Sequence, residues 1–122
     1  VTLRIDSDFL ALLRAAASGS LSTYHLKTSP LTATVVMAVS GGYPGDFEKG
    51  KVISGHGDVQ DVCLFHAGTR MESGLLTTSG GRVMAFSATG RGKKEALEKC
   101  YRNLELVSYE GMYFRKDIGF DL

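Results

Sequence analysis

No apolar run in these 122 residues approaches the roughly 20 needed to cross a bilayer. One of the two longest, Val35-Val36-Met37-Ala38-Val39, reads as a buried strand. Cysteine is nearly absent. Cys63 and Cys100 are the only two, too few for the disulfide framework of a secreted domain, and free thiols fit a reducing compartment. Charge of one sign is missing too. Fourteen Lys and Arg against thirteen Asp and Glu leave a formal net charge of +1, which argues against a global nucleic-acid footprint. There is no internal repeat, no low-complexity linker and no signal or transit segment, so the expected location is the cytoplasm, away from any membrane. The chain opens on Val1 rather than methionine and is patterned within four residues, which leads us to expect a fragment or a processed product.

What is present is an ordinary folding composition, 43% hydrophobic and 22% charged, on a length that suits one domain over residues 1–122. A first helix is expected from Ser7, as N-cap, to about Ser18. Asp8 sits in its first turn, and Phe9, Leu12, Leu13, Ala16 and Ala17 share one face. Thr32 to Ser40 reads as a strand buried at its centre, and Gly41-Gly42-Tyr43-Pro44-Gly45 as dense turn chemistry. Short strands are expected at Lys51–Ser54 and Asp61–Phe65. Gly74–Thr78 and Arg82–Thr89, flanking Ser79-Gly80-Gly81, read as a hairpin. A second helix from Lys93 to about Leu106 carries the stripe Leu97, Cys100, Tyr101, Leu104 and Val107. An extended Met112–Arg115 follows, with a tail that continues the sheet. The order implies an α+β domain with a mainly antiparallel sheet and two helices.

Several familiar motifs fail on inspection. Thr89-Gly90-Arg91-Gly92-Lys93-Lys94 lacks both the leading glycine and the hydroxyl of a phosphate-binding P-loop, since Ser87 and Lys94 stand at those positions. Gly55-His56-Gly57 lacks the third glycine of a dinucleotide fingerprint, Gln60 standing there. Cys63 and His66, with His56 nearby, do not make a metal site on a strand, because side chains three apart point to opposite faces. No catalytic triad follows from spacing. Arg91, Lys93, Lys94, Lys99 and Arg102 cluster on and before the second helix. Glu95, Glu98 and Glu105 are interspersed, however, and Glu95–Lys99 and Glu98–Arg102 are spaced for surface ion pairs rather than a nucleic-acid patch.

One motif survives. Thr77-Thr78-Ser79-Gly80-Gly81-Arg82 offers three hydroxyls, two residues whose backbone N–H groups an anion can approach, and a planar, permanently charged guanidinium. On spacing alone, a polar hairpin turn followed by a surface arginine explains it at least as well.

Neighbouring segments change that balance. Arg4-Ile5-Asp6-Ser7-Asp8, the run Gly42-Tyr43-Pro44-Gly45-Asp46-Phe47-Glu48-Lys49-Gly50, Phe65-His66-Ala67-Gly68-Thr69, Gly80-Gly81-Arg82-Val83-Met84 and Arg115-Lys116-Asp117-Ile118-Gly119 occur in this order. Together, from Thr2 to Phe120, they resemble the C-terminal domain of the phosphoribosylamine–glycine ligases. The resemblance implies an ATP-grasp ligase of purine biosynthesis that joins glycine to 5-phosphoribosylamine. Its N-terminal domain and ATP-grasp core lie outside this chain. ATP and its magnesium or manganese would be held by those absent domains, with no cofactor, metal ligand or catalytic residue in this one. It further implies Arg82 as a phosphate clamp, with Gly80, Gly81 and Thr78 giving hydrogen bonds, and Arg4, His66 and Lys49 as cleft residues. The expected partners are the rest of the same polypeptide and the two substrates. Ser79 departs from the family's usual asparagine, Phe47 from its tyrosine and Ala85 from its glycine. The alternative reading is a stand-alone module for a phosphorylated metabolite or RNA.

Overall fold

The computed structural model describes residues 1–120. Its centre is the antiparallel pair β1 (Thr32–Ser40) and β5 (Arg82–Gly90), in register from Thr32 opposite Gly90 to Val39 opposite Arg82. β2 (Cys63–His66) adds to the other edge of β5, and β6 (Met112–Tyr113) to the other edge of β1. The result is a four-stranded antiparallel sheet ordered β2-β5-β1-β6. A second sheet holds only β3 (Thr69–Glu72) and β4 (Leu75–Thr78). Helix α2 (Lys93–Leu104) packs on β1 and β5. β5 is buried along nearly its whole length, as expected of an inner strand covered on both faces. Phe86, Met84, Val36, Val83, Cys100 and Leu104 form the centre of the core with virtually no exposure. Burying a side chain such as Phe86 contributes about 1.5–3 kcal/mol.

The α+β class and the antiparallel sheet agree with the sequence reading, and β1 has the expected bounds. Other expectations are corrected. Helix α1 is Phe9–Ala17, and its N-cap is Asp8, whose carboxylate accepts from the Ala11 N–H at 2.9 Å. Ser7 instead accepts from the Lys27 N–H. Residues 51–54 are not a strand and make only isolated bridges, Val52 to Thr77 and Ser54 to Ser108. β4 and β5 are not a hairpin. β4 pairs with β3 through a tight Ser73-Gly74 turn, with φ of 50° and 81°, while β5 crosses into the larger sheet. Helix α2 stops at Leu104. Among the described residues the chain after β6 turns, Phe120 N–H donating to Asp117 C=O, rather than extending the sheet, and the last two residues of the expected tail lie outside them.

The lysines at the start of α2 oppose the helix dipole, and the fold explains one of them. Lys93 reaches across to donate to Gly119 C=O at 2.7 Å, so it anchors the C-terminal turn. Glu95 offsets the missing cap by accepting from the Arg91 N–H at 2.9 Å and pairing with Lys99 at 3.1 Å. Glu98 pairs with Lys94, and Arg102 with Asp61, in place of the expected Glu98–Arg102 pair. Buried Asn103 holds the loop before β2 as a strand neighbour would. Its side chain accepts from Gln60 N–H and donates to Gln60 C=O.

A glycine–arginine corner as candidate functional site

The site lies at the end of the sheet where β1 stops and β5 begins. Between Ala38 and Val39 the register skips a residue, so Val83 is a bulge. Regular alternation would put Arg82 on the same face as Met84. The bulge breaks that alternation, as bulges do, and Arg82 is exposed where Met84 is fully buried.

Just before it, the carbonyl groups of the glycine pair are all engaged. Ser40 donates its N–H to Gly81 C=O at 2.8 Å and its hydroxyl to Gly80 C=O at 3.0 Å. Gly68 N–H donates to Arg82 C=O, and Ser79 N–H to Gly68 C=O. The N–H groups of Gly80 and Gly81, in contrast, donate to no acceptor among the described residues. Two adjacent amides beside a guanidinium form an arrangement suited to an anion.

Neither glycine is there for a left-handed backbone, since neither has positive φ. They are there for closeness. A Cβ on Gly81 would stand 2.1 Å from Cδ2 of Tyr43, and one on Gly80 would stand 3.2 Å from Cα of Gly68. The Tyr43 ring therefore lies directly on Gly81. It meets Phe47 edge-on at 6.2 Å between centroids, and Lys49 Nζ lies 5.9 Å from the Phe47 centroid. Lys51 fastens this loop from below. It bonds Glu48 at 2.6 Å and Glu110 at 2.9 Å, and these two carboxylates hold its ammonium above the ordinary lysine range.

The remaining sequence candidates are scattered. Thr78 is buried, and its hydroxyl accepts from Lys51 N–H at 3.1 Å, so it secures the loop. His66 lies on exposed β2 with Nδ1 3.0 Å from the Thr69 hydroxyl. Arg4 donates twice to Ser29 C=O, at 3.2 and 2.9 Å, tying down the N-terminal arm. Ser29 precedes the end of β1 that pairs with Gly90, the opposite end from Arg82. The structure thus joins Gly80, Gly81 and Arg82 in one place and leaves Arg4 elsewhere.

Sequence reasoning missed the other side of this corner. A cavity of about 270 Å³ opens beside Arg82, floored by Val36, Met37 and Ile118, and Arg115 lines it too. Arg115 makes a two-point pair with Asp117, Nε at 2.9 Å and Nη2 at 2.8 Å. The run Arg115–Gly119 carries part of the family resemblance, but its place beside this corner comes from β6, which pairs with β1. Among the described residues no group of three or more His, Cys, Asp and Glu could hold a metal ion. No helix among them is long and apolar enough to cross a membrane.

Residues 32–121 match the family model for the phosphoribosylglycinamide synthetase C domain. Phosphoribosylamine–glycine ligase of Caldanaerobacter subterraneus subsp. tengcongensis is 42% identical over 115 residues, covering 94% of this chain and 28% of that protein. The chloroplastic ligase of Arabidopsis thaliana is 38% identical over 123 residues, covering 97% and 23%. The crystal structure of the Thermotoga maritima ligase superposes with a TM-score of 0.64 at 39% identity, over 70% of this chain and 21% of that one. The chain spans about a quarter of the length of the relatives it matches.

Proposed function

The chain belongs to the phosphoribosylglycinamide synthetase C-domain family, and from that premise we propose that it is the substrate-facing C-terminal domain of a phosphoribosylamine–glycine ligase. In this reading the whole enzyme joins glycine to 5-phosphoribosylamine with ATP, giving glycinamide ribonucleotide, ADP and phosphate. The chain's share is to hold the ribose phosphate. The observation that carries the proposal is the pair of unengaged amides at Gly80 and Gly81 next to exposed Arg82. Arg82 supplies the charge and the fork, and the glycine amides supply direction. Thr78 contributes through Lys51, by keeping the 41–50 loop in place. Lys49 stiffens that loop over Phe47, and His66 and Arg4 serve as structural anchors.

ATP and its divalent metal belong to other parts of the ligase, and activation of glycine takes place there. The isolated chain accordingly hydrolyses no ATP. Incubating it with ATP, magnesium, glycine and phosphoribosylamine yields no ADP above background. ADP formation that depends on both glycine and phosphoribosylamine overturns this division of labour. The stand-alone RNA reading is the weaker one, since two members of its basic cluster, Lys93 and Lys99, donate to carbonyl groups of the chain itself. A cytoplasmic setting fits the two free thiols.

A further inference from the structure

We propose that the outer face of the four-stranded sheet is the surface on which the rest of the ligase polypeptide docks, closing over Arg82. The inference rests on the ligase reading above and adds the interface to it. Residues opposite each other in an antiparallel sheet share a face. Val36, Ala38, Met84 and Phe86 belong to the core on the face that α2 covers. Alternation turns Val35, Met37 and Val39 of β1 to the other face, together with Phe65 of β2 and Tyr113 of β6. Val35 is 51% exposed, Phe65 46% and Tyr113 59%. β5 adds Ala85 and Ser87, small side chains sheltered between these larger neighbours. A sheet face that meets water is ordinarily polar. Here, among the described residues, the strands place no charge on it until Arg82, which the bulge sets opposite Val39 at its end.

Size decides between occupants. Along β1, from Ala33 to Val39, the face runs about 20 Å, and across the sheet from β2 to β6 it is about 14 Å wide. A footprint of about 300 Å² reaches the size at which an open apolar patch on a soluble chain marks an interaction site. A dimer of free copies needs about 800 Å² from each partner, more than this face gives. A part of the same polypeptide needs less, because its tether holds it at high effective concentration. The chain spans about a quarter of the length of its relatives, so most of a ligase is left to supply the cover.

The position of Arg82 ties this interface to the site. Arg82 and Tyr113 both stand opposite Val39, one on each side of β1, where the apolar face ends and the glycine–arginine corner begins. A domain seated on Val35 and Met37 therefore walls the corner on its open side. Arg82 meets bulk water in the isolated chain and a narrowed cleft in the joined enzyme. A contact between its guanidinium and a phosphate strengthens there as the surrounding dielectric falls.

Cys63 supplies the probe, being exposed and opposite Ser87 on this face. The test compares its alkylation by iodoacetamide, read by peptide mass, in the 122-residue chain and in a ligase chain that carries this domain joined to its ATP-binding part. In the joined ligase Cys63 reacts about tenfold more slowly or less, because a thiol reacts as far as reagent reaches it. Val35→Glu forces a charge into the contact, and the rate in the joined ligase returns to within about threefold of the isolated variant's. Tyr113→Glu does the same if the Val35 variant folds poorly, which circular dichroism of the isolated chain reports. Met71→Glu, at an exposed position on β3 in the other sheet, leaves Cys63 protected. Equal rates in the two proteins, with the joined ligase active, refute the docking face and leave the ligase reading standing. Protection that survives both Val35→Glu and Tyr113→Glu refutes it as well. Protection in the isolated chain that vanishes on dilution gives the face to a second copy and overturns the proposal. A joined ligase that makes no glycinamide ribonucleotide removes both readings.

Discussion

Placing a methyl group on Gly81 tests whether the glycine pair is there to receive the Tyr43 ring. An ideal Cβ at Gly81 would stand 2.1 Å from Cδ2, 2.7 Å from Cε2 and 3.0 Å from Cγ of that ring. Ordinary carbon–carbon contact begins near 3.5 Å, so the ring must move by more than an ångström. Backbone cannot give way, since Gly81 C=O is pinned by Ser40 at 2.8 Å. The ring can, because Tyr43 is 39% exposed. The cost of Gly81→Ala therefore sits at the lower end of overpacking, about 1–2 kcal/mol. For a domain of this length, that lowers Tm by about 4–10 °C. Tyr43→Ala alone costs about 0.5–1.5 kcal/mol, from lost contact with Phe47 and Gly81. In the double variant the alanine at 81 meets no ring, so its added cost falls below about 0.5 kcal/mol, leaving a coupling of about 1 kcal/mol. Urea denaturation of the four proteins measures it. Strictly additive effects would refute the idea that Gly81 exists to accommodate Tyr43.

Three further predictions concern how the corner and core are held. Asn103→Ala removes a fully buried amide that bonds Gln60 twice and Lys99 once, and it costs about 2–4 kcal/mol in a denaturant titration; a loss under about 1 kcal/mol would show that water replaces those bonds freely. In the native chain a thiol reagent modifies exposed Cys63 alone, because Cys100 is buried, its Sγ lies 3.2 Å from Phe86 C=O, and burial pushes its thiol up. Cys100 reacts only after denaturation, and equal native reactivity would place it outside the core. The stability difference between wild type and Lys51→Met follows from two shifted groups. Glu48 is held below its ordinary 4.5 by Lys51, so its contribution is complete above that value and fades as pH falls through the lowered one. Lys51 is held above its ordinary 10.5 by Glu48 and Glu110, so its contribution is complete below that value and fades as pH rises through the raised one. The difference is flat from about pH 5 to 10 and shrinks on both sides, and a difference that grows on acidification contradicts the pairing.

β1 could be read directly from the sequence, because Thr32 to Ser40 is β-branched, apolar and bounded by turn residues. Helix α2 could be read from its 3.6-residue stripe. The pairing of β4 could not. Adjacency in sequence favours a hairpin with β5, whereas the decisive contact is the close approach of Gly68 to Gly80, which diverts the chain between sheets. Two glycines far apart in sequence carry no mark that they touch. The Ser73-Gly74 turn was a usable signal for the β3–β4 pair and went unread. Helix α1 shows the reverse problem. Its apolar stripe is evident in the sequence, yet Phe9 and Leu13 remain about half exposed, so amphipathic patterning alone did not say what would cover it. At the site, residue types alone left Gly80, Gly81 and Arg82 as much a polar turn as an anion site, and only the family resemblance of the neighbouring segments favoured the second. Arg115 and the Val83 bulge were not visible, since register and strand order create them.

In the proposed function Arg82 is the residue that holds the ribose phosphate. The direct measurement is steady-state kinetics of a ligase chain that carries this domain joined to its ATP-binding part, wild type against Arg82→Ala. Losing a charged two-point contact to phosphate costs about 1.5–3 kcal/mol, so the KM for phosphoribosylamine rises about ten- to a hundredfold while the KM for ATP stays within about twofold. An unchanged KM for phosphoribosylamine, or an equal rise for ATP, contradicts the claim that this corner holds the ribose phosphate.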